Sequence, residues 1–475
     1  MRKKKELPLL TDIEICDAGA EGKAIARVDG MVIFVPFVAP GDIVDIQLTK
    51  KKKNFAEGRA VAIKKQSDQR AQPQCKHYGT CGGCKWQHLQ YSHQLAYKQK
   101  QVWDNLERLG DVDCSQMQEI CGSEQIFYYR NKLEYTFSTR EWVTDPSQID
   151  NSEKSHPGAL GFHIPSLFDK VLNIEHCALQ KEPSNALRLA IRDYAVQHEL
   201  PFYDIRNHTG FLRNLVIRNS CTNEWMVTLI VAEKREDWLF PLLDYVHEQF
   251  PQVTSLQYII NDKMNDSYGD LQVTPYYGKD HMMEQMESYN GEGVLRYKVN
   301  PKSFYQTNSQ QAQRLYSFVA DFAELKGDEV VYDLYTGAGT IALFLAKMCK
   351  QVIGIEYVEE AIADARINAE LNGFDNTRFY AGNMAQVLTE EFVRTNGRPD
   401  IVITDPPRAG MHEKVIEQLL KTLPRKIVYV SCNPATQARD LKLLSKSYQV
   451  GRIQPVDMFP HTQHVENVVE LLLKS

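Results

Sequence analysis

Ser431-Cys432-Asn433-Pro434-Ala435-Thr436 follows directly on the apolar stretch Ile427-Val428-Tyr429-Val430. A free cysteine is most often a small buried hydrophobe. One in a polar, proline-containing loop at the end of a strand is placed to meet a ligand as a thiolate. A second acid–base group stands near the C-terminus, in His464-Val465-Glu466-Asn467-Val468-Val469. Glu466 comes just before the apolar run Val468–Leu473, as a candidate base or as a solvated surface acid. A third set is metal-like: Cys75-Lys76-His77-Tyr78-Gly79-Thr80-Cys81-Gly82-Gly83-Cys84 holds three thiols in ten residues, and Cys177 offers a fourth. Four thiolates can hold zinc or a cubane iron–sulfur cluster.

A ligand loop stands in Val331-Tyr332-Asp333-Leu334-Tyr335-Thr336-Gly337-Ala338-Gly339-Thr340. Its glycines allow a tight strand-to-helix turn and close approach of backbone to a ligand. The next strand ends in Glu356, where a carboxylate can accept both hydroxyls of a ribose. Nicotinamide cofactors usually go with a third glycine, and Thr340-Ile341-Ala342 lacks it. D-L-Y-T-G-A-G-T instead resembles the first motif of methyltransferases that use S-adenosylmethionine (SAM). Asp405-Pro406-Pro407-Arg408 follows another strand, and its prolines stiffen the loop that carries Asp405.

A methyltransferase acting on nitrogen needs no cysteine, but one acting on carbon 5 of a uracil does. That carbon is a weak nucleophile until a thiolate adds at carbon 6 and pushes electron density onto it. A base then removes the carbon 5 proton and the thiolate leaves, so that one hard step becomes several easier ones. The ordered set F-Y-Q-T-N, D-L-Y-T-G-A-G-T, D-P-P-R, S-C-N-P-A-T and H-x-E-N-V resembles the RNA 5-methyluridine methyltransferases, of the 23S ribosomal RNA type.

The resemblance runs through nearly the whole chain. It implies Cys432 as nucleophile and Glu466 as base, with cofactor positions at Gln306, Tyr335, Thr340, Glu356, Asn383 and Asp405. Tyr335 and Thr340 stand where relatives often carry Phe and Asn. It implies that Arg130 reaches the target base, where a guanidinium could stabilise charge on a uracil oxygen; on residue type alone Arg130 is equally an ordinary surface cation. It also implies a [4Fe-4S] cluster on Cys75, Cys81, Cys84 and Cys177, leaving Cys16, Cys114, Cys121, Cys221 and Cys349 as ordinary thiols. Zinc remains the alternative, although paired knuckles are its usual signature and only one C-x-x-C is present.

These residues need elements to hold them. From about residue 326, strands at Val330–Leu334, Gln351–Glu356, Ile401–Thr404 and Lys426–Ser431 alternate with helical segments. The rhythm predicts an α/β fold, a doubly wound catalytic domain with a mostly parallel sheet over 301–475. Residues 8–64 hold short strands such as Met31–Val35 and Ile43–Gln47, punctuated by glycine, and resemble an OB-like TRAM barrel over 1–66 that binds RNA. Between them, 67–300 reads as an α+β central domain carrying the metal segment. Within it, 91–110 is predicted as one helix with Leu95, Val102, Leu106 and Leu109 on one face and is a candidate to pack on the catalytic domain. Leu215–Arg218 and Met226–Val231 are expected to pair as strands.

The formal charge of -6 does not by itself announce a polyanion partner. Residues 1–70, however, carry 14 Lys+Arg against 10 Asp+Glu, including the runs Arg2–Lys5 and Lys50–Lys53. Such runs are often solvated loops or tails; two in one small domain favour RNA contact. No apolar stretch approaches the ~18–20 residues that span a bilayer, and the start has no signal-peptide pattern. The expectation is a cytoplasmic monomer with RNA as partner and no membrane. Ribosomal RNA is expected over transfer RNA because tRNA relatives tend to lack the barrel and cluster. A non-catalytic RNA-binding or assembly factor on an inherited SAM fold is the alternative of another class, and a cytosine-5 enzyme ranks lower because its nucleophile usually sits in a different motif.

Overall fold

The computed structural model describes residues 7–144, 158–291 and 293–475. The run Arg2–Lys5 lies outside them. Five strands, β1 (Leu9–Ala18), β2 (Ala24–Val28), β3 (Met31–Val35), β4 (Ile43–Lys51) and β5 (Phe55–Lys65), close a barrel in the order β1-β2-β3-β5-β4. Alternation turns Ile15, Ala26, Ile33, Val44, Ile46 and Ala56 into its core. The basic run divides: Lys50 and Lys51 end β4, while Lys52 and Lys53 form the turn before β5. The strand is longer than its apolar stretch because pairing with β5 continues to Lys51–Ala56.

Helix α1 (Tyr91–Gly110) follows the cysteine-rich segment. Its buried face is Gln94, Lys98, Val102, Leu106 and Gly110, whereas Leu109 is half exposed, contrary to the apolar face expected from sequence. The stripe rotates because its first two turns bury polar side chains that serve a loop of the catalytic domain. Val102 and Leu106 join the hydrophobic cluster of that domain, and α1 lies against the later helix α10 (Pro434–Leu444).

The central sheet has the order β12-β11-β10-β9-β6-β7-β8. Its strands are β6 (Lys132–Ser138), β7 (Ala159–Ile164), β8 (Leu167–Asn173), β9 (Leu212–Asn219), β10 (Trp225–Val231), β11 (Val253–Ile260) and β12 (Val273–Gly278). β9 and β10 pair antiparallel, in agreement with the pairing expected from sequence. Helices α2 (Ser184–Gln197) and α3 (Glu236–Gln249) contribute to its core. The hairpin of β13 (Met282–Glu287) and β14 (Val294–Val299) then leads to α4 (Ser309–Ala323).

The catalytic sheet runs β17-β16-β15-β18-β19-β21-β20. Five strands are parallel: β15 (Val330–Leu334), β16 (Gln351–Glu356), β17 (Thr377–Ala381), β18 (Ile401–Thr404) and β19 (Lys426–Ser431). β20 (Tyr448–Val456) and β21 (Glu466–Leu473) complete it antiparallel. α4, α5 (Thr340–Leu345) and α6 (Glu359–Leu371) contribute to one core cluster; α9 (Glu413–Thr422) and α10 contribute to another. The short helices α7 (Met384–Val387) and α8 (Glu390–Asn396) precede α9. Chain order reverses at β15 and β18, so a ligand crevice is expected outside their carboxyl ends. No helix among the described residues is long and apolar enough to cross a membrane.

Candidate active site

A cavity of about 1070 Å³ opens at that crevice, and Gln306, Tyr335, Gly337, Glu356, Asp405, Cys432 and Glu466 line it. Thr340 and Asn383 are not among its lining residues. Thr340 begins α5 with its hydroxyl 3.0 Å from the Tyr316 hydroxyl, and Asn383 caps α7 by accepting from the Ala385 amide. Both are cofactor positions by resemblance, and both are occupied with local structure here.

Backbone geometry builds the cofactor end. Tyr335, Gly337 and Gly339 have positive φ of 66°, 56° and 79°. A Cβ on Gly337 would meet nothing within 4 Å, so this turn faces open space. A Cβ on Gly339 would stand 3.0 Å from Ala365 Cβ, so α5 and α6 approach there too closely for a side chain. The Glu356 carboxylate accepts from the amides of Gly337, Tyr357 and Val358 at 3.2, 2.8 and 3.0 Å. These bonds hold it at the strand end beside the glycine turn. An open turn, a fixed acid at the β16 end and a roomy cavity fit a SAM-sized nucleoside.

The nucleophile end is set by register. β19 and β21 pair as far as Ser431 and Asn467. One step on, Cys432 and Glu466 are the next residues of the two strands. Glu466 is buried and begins β21 rather than preceding it, because it pairs with Val456 of β20. Asn467 donates to Gln437 Oε1 at 2.8 Å, tying the start of β21 to α10. Asn433 caps α10 and also donates to the Arg408 carbonyl at 3.0 Å; the Thr436 hydroxyl donates to the same oxygen at 3.2 Å. The Cys432 loop and the Asp405–Arg408 loop are therefore fastened together.

Burial, then the nearby Glu466 and Asp405 charges, pushes the Cys432 thiol up to about 11, while Arg408 opposes the rise. Burial raises the carboxyls of Asp405 and Glu466 above the ordinary range, and each is raised further by a neighbouring acid, Asp333 and Asp405 respectively. Burial holds His464 neutral at about 4, helped by the cations Arg408, Lys98 and Arg130. Arg408, His464 and Phe459 also line the cavity. Sequence reasoning gives these three no role, although Arg408 and His464 sit within motifs quoted for other residues. Arg130 lies over the Phe459 ring, 5.6 Å from its centroid, and lines a neighbouring cavity instead.

That neighbouring cavity, about 530 Å³, is lined by all four expected metal ligands, Cys75, Cys81, Cys84 and Cys177. Burial raises Cys84 to about 12, and Cys177, Cys81 and Cys75 add to the rise. Cys177 feels both Cys81 and Cys75, and Cys81 feels Cys75. Among the described residues, though, no three His, Cys, Asp or Glu side chains converge closely enough to hold a metal ion. The expected metal centre is thus a shared cavity rather than a closed coordination site.

Comparison with known proteins gives the same direction. Residues 276–474 match the family model for tRNA (Uracil-5-)-methyltransferase, and residues 11–61 match the TRAM domain. A protein named an uncharacterized RNA methyltransferase from Bacteroides thetaiotaomicron is 55% identical, over 96% of this chain and 100% of its own length. A like-named protein from Porphyromonas gingivalis is 53% identical, over 97% of this chain and 99% of its own. Among solved structures, the tRNA (uracil-54, C5)-methyltransferase of Pyrococcus abyssi in complex with S-adenosyl-L-homocysteine matches with a TM-score of 0.74 and 28% identity. The match covers 97% of this chain and 100% of that one. The chain belongs to the SAM-dependent RNA uracil-5 methyltransferase family and is an RNA methyltransferase with an N-terminal TRAM barrel.

Proposed function

We propose that the enzyme methylates carbon 5 of a uridine in folded RNA through a covalent bond between Cys432 and uracil carbon 6. The observation that carries this is the β19–β21 register, which ends at Ser431 and Asn467 and brings the next residues, Cys432 and Glu466, onto one cavity. Bound at Gln306, Tyr335, Gly337, Glu356 and Asp405, SAM supplies an electrophilic methyl group. Arg408 is the cation that eases ionisation of the thiol. The Cys432 thiolate adds to carbon 6, and carbon 5 takes the methyl group. Glu466 removes the carbon 5 proton, and the carbon 6–sulfur bond breaks to restore the ring and the thiolate. A carboxylate raised by burial is a better proton acceptor once ionised than an exposed one. Arg130, which lies over the Phe459 ring that lines the cavity, is assigned to the target base.

The four-cysteine cavity is assigned to a structural [4Fe-4S] cluster. Zinc is usually held by paired knuckles, and these thiols include only one C-x-x-C pair. A cubane takes one thiolate on each of four irons, which matches the four cysteines that line one cavity. Such a cluster would tie the segment after the barrel to the loop before α2.

Of RNA classes, 23S ribosomal RNA is the assignment, on the resemblance of the motif set. Transfer RNA is the second, because an enzyme named for tRNA matches almost the whole chain. Presence of the N-terminal segments therefore does not separate the two. The flipped uridine costs a few kcal/mol of stacking, which contacts of the barrel and central domain with backbone and shape would offset. Incubation with SAM and RNA carrying 5-fluorouridine tests the chemistry, since fluorine cannot leave as a proton. A stable protein–RNA adduct is expected, and its persistence in Cys432→Ala would refute the mechanism. Methyl transfer to purified 23S RNA and to tRNA, each mapped by mass spectrometry, decides the class.

A further inference from the structure

Arg188 is a buried cation that no carboxylate among the described residues pairs with. It sits on α2 with 0% relative exposure. Its only hydrogen bond of ordinary geometry runs from Nη2 to the Glu175 carbonyl at 3.0 Å, and Nε and Nη1 have none. Its guanidinium lies over the Tyr135 ring, 5.4 Å from the centroid. Arg218, 5% exposed, shares the trait, with a bond to the Ser303 carbonyl and Nε unpartnered, whereas the buried cations Arg213, Lys98 and Lys426 are treated differently. Arg213, 2% exposed, donates to three backbone carbonyls and the Asp266 carboxylate. Lys98 pairs with Asp457 and Lys426 with Glu470. A buried charge left unpaired is unfavourable, so a protein keeps one where an anion arrives.

The anion is identified by what α2 holds. One turn before Arg188, Asn185 clamps Cys177 from both sides: its Oδ1 accepts from the Cys177 amide at 2.8 Å and its Nδ2 donates to the Cys177 carbonyl at 3.3 Å. Glu175, which Arg188 grips, is two residues before Cys177. One helical face thus fixes the backbone of the fourth thiol and places a cation beside it. Cys177 and the guanidinium act on one another's charge.

We propose that Arg188 is the built-in counter-cation of the four-thiolate iron–sulfur group, tuning its reduction potential and its retention; this rests on the cluster assignment above. The net charge around such a cluster and its hydrogen bonds set its potential. A cation in dry surroundings favours the more negative oxidation state. Replacing it with a neutral side chain should therefore lower the midpoint potential. Thiolates without their counter-charge should also release iron more readily.

The test uses the full-length protein purified without oxygen. Iron, sulfide and visible absorption are measured first, and midpoint potentials are then compared for wild type, Arg188→Lys and Arg188→Gln. The expected order is wild type and Arg188→Lys close together, with Arg188→Gln lower and losing iron to a chelator severalfold faster. If Arg188→Gln does not fold, Arg188→Met occupies the same slot with an apolar chain. Melting of metal-free protein gives the second readout. There Arg188→Gln or Arg188→Met should leave stability unchanged or raise it, because nothing then balances the arginine. Equal potentials in all variants, or equal destabilisation with and without the cluster, would overturn the role of Arg188 alone. Protein that carries neither iron nor sulfide would overturn the cluster assignment and the counter-cation together.

Discussion

Two cavities, each lined by sulfur, lie side by side, and burial raises the thiols of both. Cys432 stands alone between the carboxyls of Asp405 and Glu466, with only the exposed Arg408 to favour its thiolate. Cys75, Cys81, Cys84 and Cys177 line one cavity together with Arg130, Lys132 and Arg218, and Arg188 acts on the charge of Cys177. A nucleophile of the kind proposed for Cys432 must add and later leave, and burial keeps its thiol neutral at rest. Ligand thiols must stay ionised once metal is bound, and fixed cations serve that state. Residue type and the direction of the shift are the same in both; what differs is that Cys432 faces two carboxyls while the other four thiols face one another.

The largest effect expected is also the sharpest separation. Cys432→Ala should abolish methyl transfer and the fluorouridine adduct while leaving the visible spectrum of any bound cluster intact. Cys81→Ala or Cys84→Ala should do the reverse, losing iron and thermal stability first. Equal loss of iron in Cys432→Ala would erase the distinction between the two cavities. Next comes Glu466→Gln. Turnover should fall by about 10²–10⁴-fold, the range for a missing general base. With unmodified RNA this variant should accumulate the covalent adduct, because addition precedes proton removal. Gel-shifted, denaturation-resistant complex is the measurement, and rapid turnover without it would remove Glu466 from the role of base.

A third difference is in pH. Burial raises Asp333, beneath the cofactor turn, from 3.8 to about 7; bonds from Thr336 and the Ala342 amide partly offset this, while Glu356 adds to it. Its Oδ1 has no hydrogen-bond partner. A carboxyl raised in the folded state leaves stability whole below its unfolded value and removes it as pH climbs through the folded value. The melting temperature should thus fall between about pH 4 and pH 7 from this group, with Asp405 and Glu466 acting in the same direction. Asp333→Asn should flatten that slope. A melting temperature that rises with pH over this window in wild type alone would contradict the raised carboxyls.

Much of this is legible in the chain. The four strands that carry loops onto the cavity, β15, β16, β18 and β19, follow the simple alternation of β-run and helix, and the glycine turn needs positive φ where Gly337 and Gly339 occur. Partnership is harder to read. Cys432 and Glu466 are strand neighbours only because β21 runs antiparallel to β19, which no local pattern announces. The buried face of α1 departs from its apolar stripe at Leu109 for a similar reason. Lys98 is buried against Asp457, and Gln94 bonds His461, so polar long-range contacts override the stripe. Those contacts hold the loop that delivers Phe459 and His464 to the cavity.

The smallest effect tests whether charge on the barrel differs in kind from charge around the thiols. Lys51 and Lys53 are exposed at the β4–β5 turn, and Lys52 lies 5.4 Å from the Phe55 ring centroid. Such lysines neutralise phosphates and release counterions, a contribution blind to sequence and weakened by salt. Changing Lys51, Lys52 and Lys53 to Gln should weaken RNA binding severalfold, equally for target and non-target RNA. It should also reduce the slope of log affinity against log salt by about 1 for each phosphate left without its lysine. The rate of adduct formation at saturating RNA should not change, because none of the three lines the catalytic cavity. A selective loss on the target RNA, with the salt slope unchanged, would show that the turn reads the substrate rather than holding its backbone.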